Sequence, residues 1–361
     1  MGRPIPIVGA VRGRGAKSNR VGRFEAAQRE DFDDGWTVED REPPRLDDTL
    51  TALKSKTIIS HNDSPDIGFD QSINPYVGCS HGCIYCYARP SHAYMGLSPG
   101  IDFESKLFFK PNADILLERE LSKRGYVCKP IHIGGNTDPY QPAERHTRIT
   151  RSVLQVLDRF NHPFSIITKS ALILRDLDVL APMAARGLVR TAVSVTTLDR
   201  GLARRMEPRA STPARRVEAV RALTSAGVPV GVNFAPVIPG LNDHELEAVL
   251  ESARAAGAVS AGYVVLRLPR EIKDLFREWL DAEEPGRARR VMSLVRQMRH
   301  GRDYDVRWGE RMRGDGPIAE LVGARFAAAK RRLGYVADRE PLRTDLFRVP
   351  QKAGDQMDLF G

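Results

Sequence analysis

Between about residues 57 and 268 the chain repeats one pattern: a short apolar run, then an amphipathic stretch closed by glycine, then the next run. The runs are KTIIS at 56–60, PIHIGG at 130–135, PFSIITKS at 163–170, VRTAVSV at 189–195, PVGVNFAPVI at 229–238 and GYVVLRL at 262–268. Connections this long do not make hairpins, and runs this apolar do not suit a sheet with one wet face. The six strands are therefore expected to lie parallel, with helices as crossovers. Right-handed crossovers close such units into a full or partial barrel, or spread them as a doubly wound sheet. In either case the C-terminal strand ends carry the chemistry. Gly125, Gly187, Gly227 and Gly257 follow four of the helical patterns, where a left-handed cap residue belongs.

The flanks lack this repeat. Residues 1–50 are rich in Gly, Arg, Asp and Pro, show no period, and read as an irregular arm that Phe24, Phe32 and Trp36 could pin to the body. Residues 51–270 form the core. Residues 271–335 carry three helical segments with arginine-rich polar faces, REIKDLFREWL, RARRVMSLVRQMRHG and PIAELVGARFAAAKRRLG. Residues 336–361 lose periodicity and are expected to be a mobile tail. Lysine and arginine exceed acidic residues by 55 − 46 = 9, which favours anionic partners without naming one. No stretch approaches eighteen apolar residues and the first twenty contain no apolar signal core, so neither membrane insertion nor secretion is expected.

Four cysteines in 361 residues are no disulfide framework. Three of them, Cys79, Cys83 and Cys86, crowd into NPYVGCSHGCIYCYARP, a spacing that serves a metal and a reducing, cytoplasmic setting. A structural zinc takes four ligands, and this loop offers three thiols plus His81. Cys128 lies 42 residues beyond Cys86 and reads as buried and inert. Three thiolates on a four-iron cluster leave one iron open to a chelating ligand, which makes a catalytic site.

Cys79, Cys83 and Cys86, with Tyr85 directly before the last thiol, resemble the signature of the radical S-adenosylmethionine (SAM) enzymes. The runs NTDPYQPAE, IITKSALILRD, MEPRASTPARRVEAV and APVIPGLND are similar to the branch containing spore photoproduct lyase and its DNA repair photolyase relatives, over about residues 57–300. GRGAKSNRVGRF and DDGW resemble the leader of one bacterial subgroup. The resemblance implies an α/β fold, a partial (βα)6 TIM-like barrel with added C-terminal helices and an irregular N-terminal arm. It implies a [4Fe-4S] cluster whose open iron binds S-adenosyl-L-methionine. One electron from a flavodoxin- or ferredoxin-type reductant then releases a 5′-deoxyadenosyl radical that abstracts a substrate hydrogen.

For the site, the resemblance implies that Gly134 and Gly135 admit the methionine moiety and that Asp138 meets its ammonium or a substrate group. Lys169 and Ser194 meet the carboxylate, Glu207 and Arg209 the ribose and carboxylate, and Val237 lies beside the adenine. Each has a plainer reading: strand-end turn, helix cap, solvated lysine, strand-end hydroxyl, surface pair. His132 reads as a core imidazole. Gly135 stands where spore photoproduct lyase has a thiol hydrogen donor, a departure that weighs against thymine-dimer repair.

Gln356, Leu359 and Phe360 in the terminal QMDLFG resemble the bacterial sliding-clamp-binding peptide, which implies work on DNA. The leading reading is a radical SAM enzyme acting on nucleic acid, a DNA lesion or modified base. The alternatives are radical SAM modification of RNA or protein, and a noncatalytic DNA-associated adaptor with a structural metal and a clamp-binding tail.

Overall fold

The computed structural model describes residues 13–25, 47–336 and 340–351. Gln356, Leu359 and Phe360, with Phe32 and Trp36, lie outside the described residues. The described strands are β1 (Thr49–Ala52), β2 (Ile59–His61), β3 (Gln71–Ile73), β4 (Tyr76–Val77), β5 (Lys106–Phe109), β6 (Ile131–Ile133), β7 (Phe164–Thr168), β8 (Val189–Ser194), β9 (Val230–Val237) and β10 (Ser260–Val265). Seven of them form one sheet in the order β10-β9-β8-β7-β6-β3-β2. All neighbours from β3 to β10 are parallel, and β2 alone runs antiparallel at the edge. Six parallel strands with helical crossovers make the partial (βα)6 barrel. β1, β5 and β4 form a separate small sheet.

The first barrel strand is a correction. It is β3, and only the end of the KTIIS run is a strand, the antiparallel β2 with Ser60 and His61 exposed. β3 is three residues long and reads as polar, so it has no local apolar signal. It is buried because β2 and β6 pair on either side of it. The four glycines take φ of +79°, +72°, +76° and +102° at or just beyond helix ends, as the cap argument requires.

The main core lies between the sheet and its helices, where Ile133, Ile166, Val193, Val232 and Phe234 are at most 1% exposed. Burial of such side chains contributes roughly 1.5–3 kcal/mol each. A second apolar cluster joins Ile84 and Tyr85 of the cysteine loop to Phe276 and Trp279 of helix Ile272–Glu283, and includes Ala16 of the arm. Residues 340–351, expected in the unanchored tail, lie against the body. Arg343 N–H donates to Gly187 O (3.1 Å), Arg348 N–H to Phe160 O (3.0 Å), and the Phe347 ring packs on Tyr126 and His162. One aromatic in a polar stretch provides that anchor. Among the described residues no helix is long and apolar enough to cross a membrane.

Candidate active site

The cysteine loop leaves β4 through Gly78, whose φ of +80° favours glycine and where a Cβ would crowd Phe103 O and Leu107 at 3.0 Å. Cys79 N–H then donates to Phe103 O (3.0 Å), and Ser80 N–H to the Gln141 side chain (2.9 Å). Ile84 N–H reaches Met206 O and Arg209 N–H reaches His81 O, so the loop is tied to the segment after β8. From behind, the buried Arg89 guanidinium donates to Cys83 O (2.9 Å), Gly82 O (3.1 Å), Pro99 O (3.1 Å) and Gly100 O (3.0 Å), and pairs with Glu104. One buried cation thus ties two carbonyls of the cysteine loop to the turn at Pro99 and Gly100.

The loop faces a cavity of about 430 Å³ at the C-terminal ends of the barrel strands, within the usual range of roughly 300–1,000 Å³ for small-molecule sites. Nine of the twelve proposed metal and cofactor residues line it. Cys79, Cys83, Cys86 and Tyr85 come from the loop; Gly134, Gly135 and Asp138 follow β6; Lys169 follows β7; Ser194 closes β8. Gly134 takes φ +93°, and a Cβ there would stand 2.7 Å from Ile167 O, so only glycine fits. A Cβ on Gly135 would sit 3.5 Å from His132 and Phe69, an ordinary contact.

The other three lie elsewhere. Glu207 is buried behind Tyr85, accepting from the Tyr85 hydroxyl and from Thr196 (2.7 Å) and pairing with Arg216. Arg209 pairs with Asp48 at 2.6 Å, and Val237 is a core residue with no exposure. The Asp138 carboxylate is taken up by protein donors: Tyr140 N–H (2.9 Å), Thr168 Oγ1 (2.7 Å), Lys169 N–H (2.8 Å) and His81 Nδ1 (3.3 Å). Although burial works the other way, His81 and these hydrogen bonds hold its pKa down at about 2. Burial is the main force raising the thiols of Cys79 and Cys83.

Two cations on the cavity wall have no carboxylate partner among the described residues. Lys169 Nζ sits 5.8 Å from the Tyr85 ring centre. Arg267 lies over the Tyr87 ring (5.3 Å), and its Nη atoms reach only Met312 sulfur (3.3 Å) and the Tyr304 hydroxyl (3.5 Å), leaving a buried Nε without a partner. Sequence reading missed Arg267, Tyr87 and Met312. Tyr87 was within reach, because it directly follows the last thiol. His132 is a correction: it lines the cavity, stacked on Phe69 at 4.3 Å, rather than filling the core. Alternation along a three-residue strand could not settle its side. Cys128 is half-buried rather than buried, and it is not on the cavity wall; partial burial pushes its thiol up to about 11.

Burial holds His92, His132 and His162 neutral, their pKa pushed down to about 4. Unfolded, each titrates near 6.5. Between pH 6.5 and about 4 unfolding therefore takes up protons, and stability falls as pH falls, by up to about 1.4 kcal/mol per pH unit for each histidine. Urea midpoints measured from pH 7 to 4.5 are expected to drop along this window, and His162→Gln to flatten the slope. A level curve would contradict the assignment.

A model of the radical SAM superfamily matches residues 73–253, half of the chain. The chain belongs to the radical SAM superfamily. An uncharacterized protein of Mycobacterium tuberculosis is 35% identical over 231 residues, 63% of this chain and 68% of the relative. One of Methanocaldococcus jannaschii is 28% identical over 196 residues, 54% and 70% of the two chains. Among solved structures, spore photoproduct lyase complexed with dinucleoside spore photoproduct superposes with a TM-score of 0.53 over 79% of this chain and 78% of that one, at 14% identity. Another structure of that lyase, at a TM-score of 0.47 and 16% identity, matches 65% of this chain and 66% of its own, just under two thirds. At 14% identity the first likeness is one of fold.

The family implies SAM and an iron–sulfur cluster, and the donor set is suited to one. Cys79, Cys83 and Cys86 stand on the wall of one cavity beside Gly134, Lys169 and Ser194, and three thiolates facing a shared space are the donor chemistry that iron–sulfur centres use.

Proposed function

We propose that Cys79, Cys83 and Cys86 hold three irons of a [4Fe-4S] cluster and that the enzyme abstracts hydrogen from nucleic acid, a DNA lesion or modified base. The observation that carries this reading is the meeting of three thiols, two of them buried, and two carboxylate-free cations, Lys169 and Arg267, around one cavity. The chemistry supplied by the bound group is one-electron cleavage of SAM to a hydrogen-abstracting carbon radical, with an external flavodoxin- or ferredoxin-type donor as the electron source.

This chain's residues bind and orient. Lys169 pairs with the carboxylate of the methionine moiety, the Ser194 hydroxyl donates to that carboxylate or to the ribose, and Gly134 and Gly135 let backbone approach without side chains. Asp138 acts on the loop instead of on the cofactor, fixing His81. Tyr85 is locked by Glu207 and Thr196 and presents its ring to Lys169. Arg267, stacked over Tyr87 beside the last cysteine, takes a substrate phosphate, which would satisfy its unpartnered Nε. The missing thiol at Gly135 is a matter of sequence and not of room, so the reaction ends on another hydrogen donor or on a product radical quenched elsewhere. The tail peptide with Gln356, Leu359 and Phe360 would bring the enzyme to DNA through the sliding clamp, in the cytoplasm.

The test is anaerobic incubation of reconstituted enzyme, dithionite and SAM with deuterated DNA, ultraviolet-irradiated or intact. Deuterium in 5′-deoxyadenosine is expected with DNA. Transfer only from RNA or protein would overturn the substrate reading. Arg267→Gln is expected to weaken oligonucleotide binding about tenfold and to lower the salt slope by about one counterion. Uncoupled 5′-deoxyadenosine formation should stay at the wild-type rate, and unchanged binding and slope would remove Arg267 from the substrate site.

A further inference from the structure

The arm's GRGAKSNR motif has the composition of an anion-binding tail, yet its cations face carboxylates. Arg14 pairs with Asp48 (2.7 Å), Lys17 with Glu283, Arg20 with Glu278 and Asp274, and Arg23 with Glu271 (2.8 Å). Three of these carboxylates belong to helix Ile272–Glu283 and Glu271 directly precedes it, so the arm is latched to a C-terminal helix and its charge is spent there.

Its backbone is spent on the cysteine loop. Gly15 N–H and Ala16 N–H donate to the two carboxylate oxygens of Glu104 (2.9 and 2.8 Å), while Arg14 Nη1 donates to Glu104 O (2.7 Å). Glu104 is fully buried, and its remaining partner is Arg89, the same guanidinium that grips Gly82 O and Cys83 O. Contact is direct as well. A Cβ on Gly15 would stand 1.9 Å from the carbonyl oxygen of Gly82, the residue directly before Cys83. Ala16 is 1% exposed, inside the apolar cluster that holds Cys83, Ile84 and Trp279. Withdrawing the arm would strip two donors from a buried carboxylate, loosen Arg89, and open the rear of the loop to water.

We infer that Arg14, Gly15 and Ala16, acting through Glu104 and Arg89, are positioning residues for the cysteine loop, holding it in its metal-binding shape and sealing its back against solvent and oxygen. The inference rests on the reading that these cysteines carry the cluster, but its first test does not. In the metal-free full-length protein, Gly15→Leu is expected to raise the iodoacetamide alkylation rate of Cys83 at least tenfold, read by peptide mass spectrometry, with far-UV circular dichroism unchanged. In reconstituted protein the same variant is expected to bleach in air at least fivefold faster and to shift the cluster reduction potential.

Arg20→Glu, which unlatches the arm without touching the loop, is expected to move the same readouts less, and Arg20→Glu with Glu278→Arg to restore them. Arg221→Ala, an exposed side chain of helix Pro213–Ser225 paired with Glu218 and remote from the arm's contacts, should change neither. Wild-type alkylation and air decay in Gly15→Leu would overturn the inference, as would failure of the charge swap to rescue Arg20→Glu. Wild-type protein that takes up no iron would instead overturn the cluster reading and leave the alkylation result to stand alone.

Discussion

Cys83→Ala is expected to leave the protein folded but unable to keep its iron, with 5′-deoxyadenosine formation at least about 1,000-fold below wild type, a loss of more than roughly 4 kcal/mol of transition-state stabilisation. The size follows from the lack of a spare ligand. Cys128 does not reach the cavity, and His81 Nδ1 is engaged by Asp138. Arg89 grips the backbone at Cys83 rather than its side chain, so truncation removes a donor without releasing the loop. Iron and sulfide analysis together with product chromatography after anaerobic reduction gives the answer. Near-normal iron and cleavage would mean that another group fills the corner and that the three-thiol account is wrong.

Arg216→Leu is expected to cost about 3–5 kcal/mol of folding stability, the largest effect foreseen outside the cysteines. Arg216 and Glu207 have side chains 1% and 0% exposed. Arg216 also donates to Ser211 O (2.7 Å) and Ser194 O (3.2 Å), connecting the end of β8 to helix Pro213–Ser225. Without it, a buried carboxylate keeps only the Tyr85 and Thr196 hydroxyls. Equilibrium urea unfolding checks the number. The double variant Arg216→Leu with Glu207→Leu should recover much of the loss, because removing both charges is far cheaper than stranding one. A cost below about 1 kcal/mol for Arg216→Leu would show that the pair is not buried in solution.

The same pair shows what the amino-acid order could and could not convey. MEPR was read as a cofactor element because it lies beyond the fourth strand, where ligands gather. That Glu207 turns away from the cavity depends on Arg216, nine residues on and across a helix start, and on burial that no local pattern records. Strands with long β-branched runs, such as β7 to β10, were legible because period and composition agree over five residues or more. β3 was not, since three residues carry no period and its neighbours in the sheet decide its burial. The three cysteines were legible because their spacing is local and chemically unusual. Arg267 and Met312 were not, because they reach the cavity from the last barrel strand's exit and from the short helix Glu310–Arg313 some forty-five residues later. The arm was legible as an arm, but its role at the back of the loop exists only through Glu104, eighty-nine residues away from Gly15.

The central claim is tested most directly by metal and sulfide analysis of the anaerobically reconstituted full-length protein, followed by dithionite reduction in the presence of SAM. About four irons and four sulfides per chain with release of 5′-deoxyadenosine are predicted. One zinc per chain, no sulfide and intact SAM would contradict it.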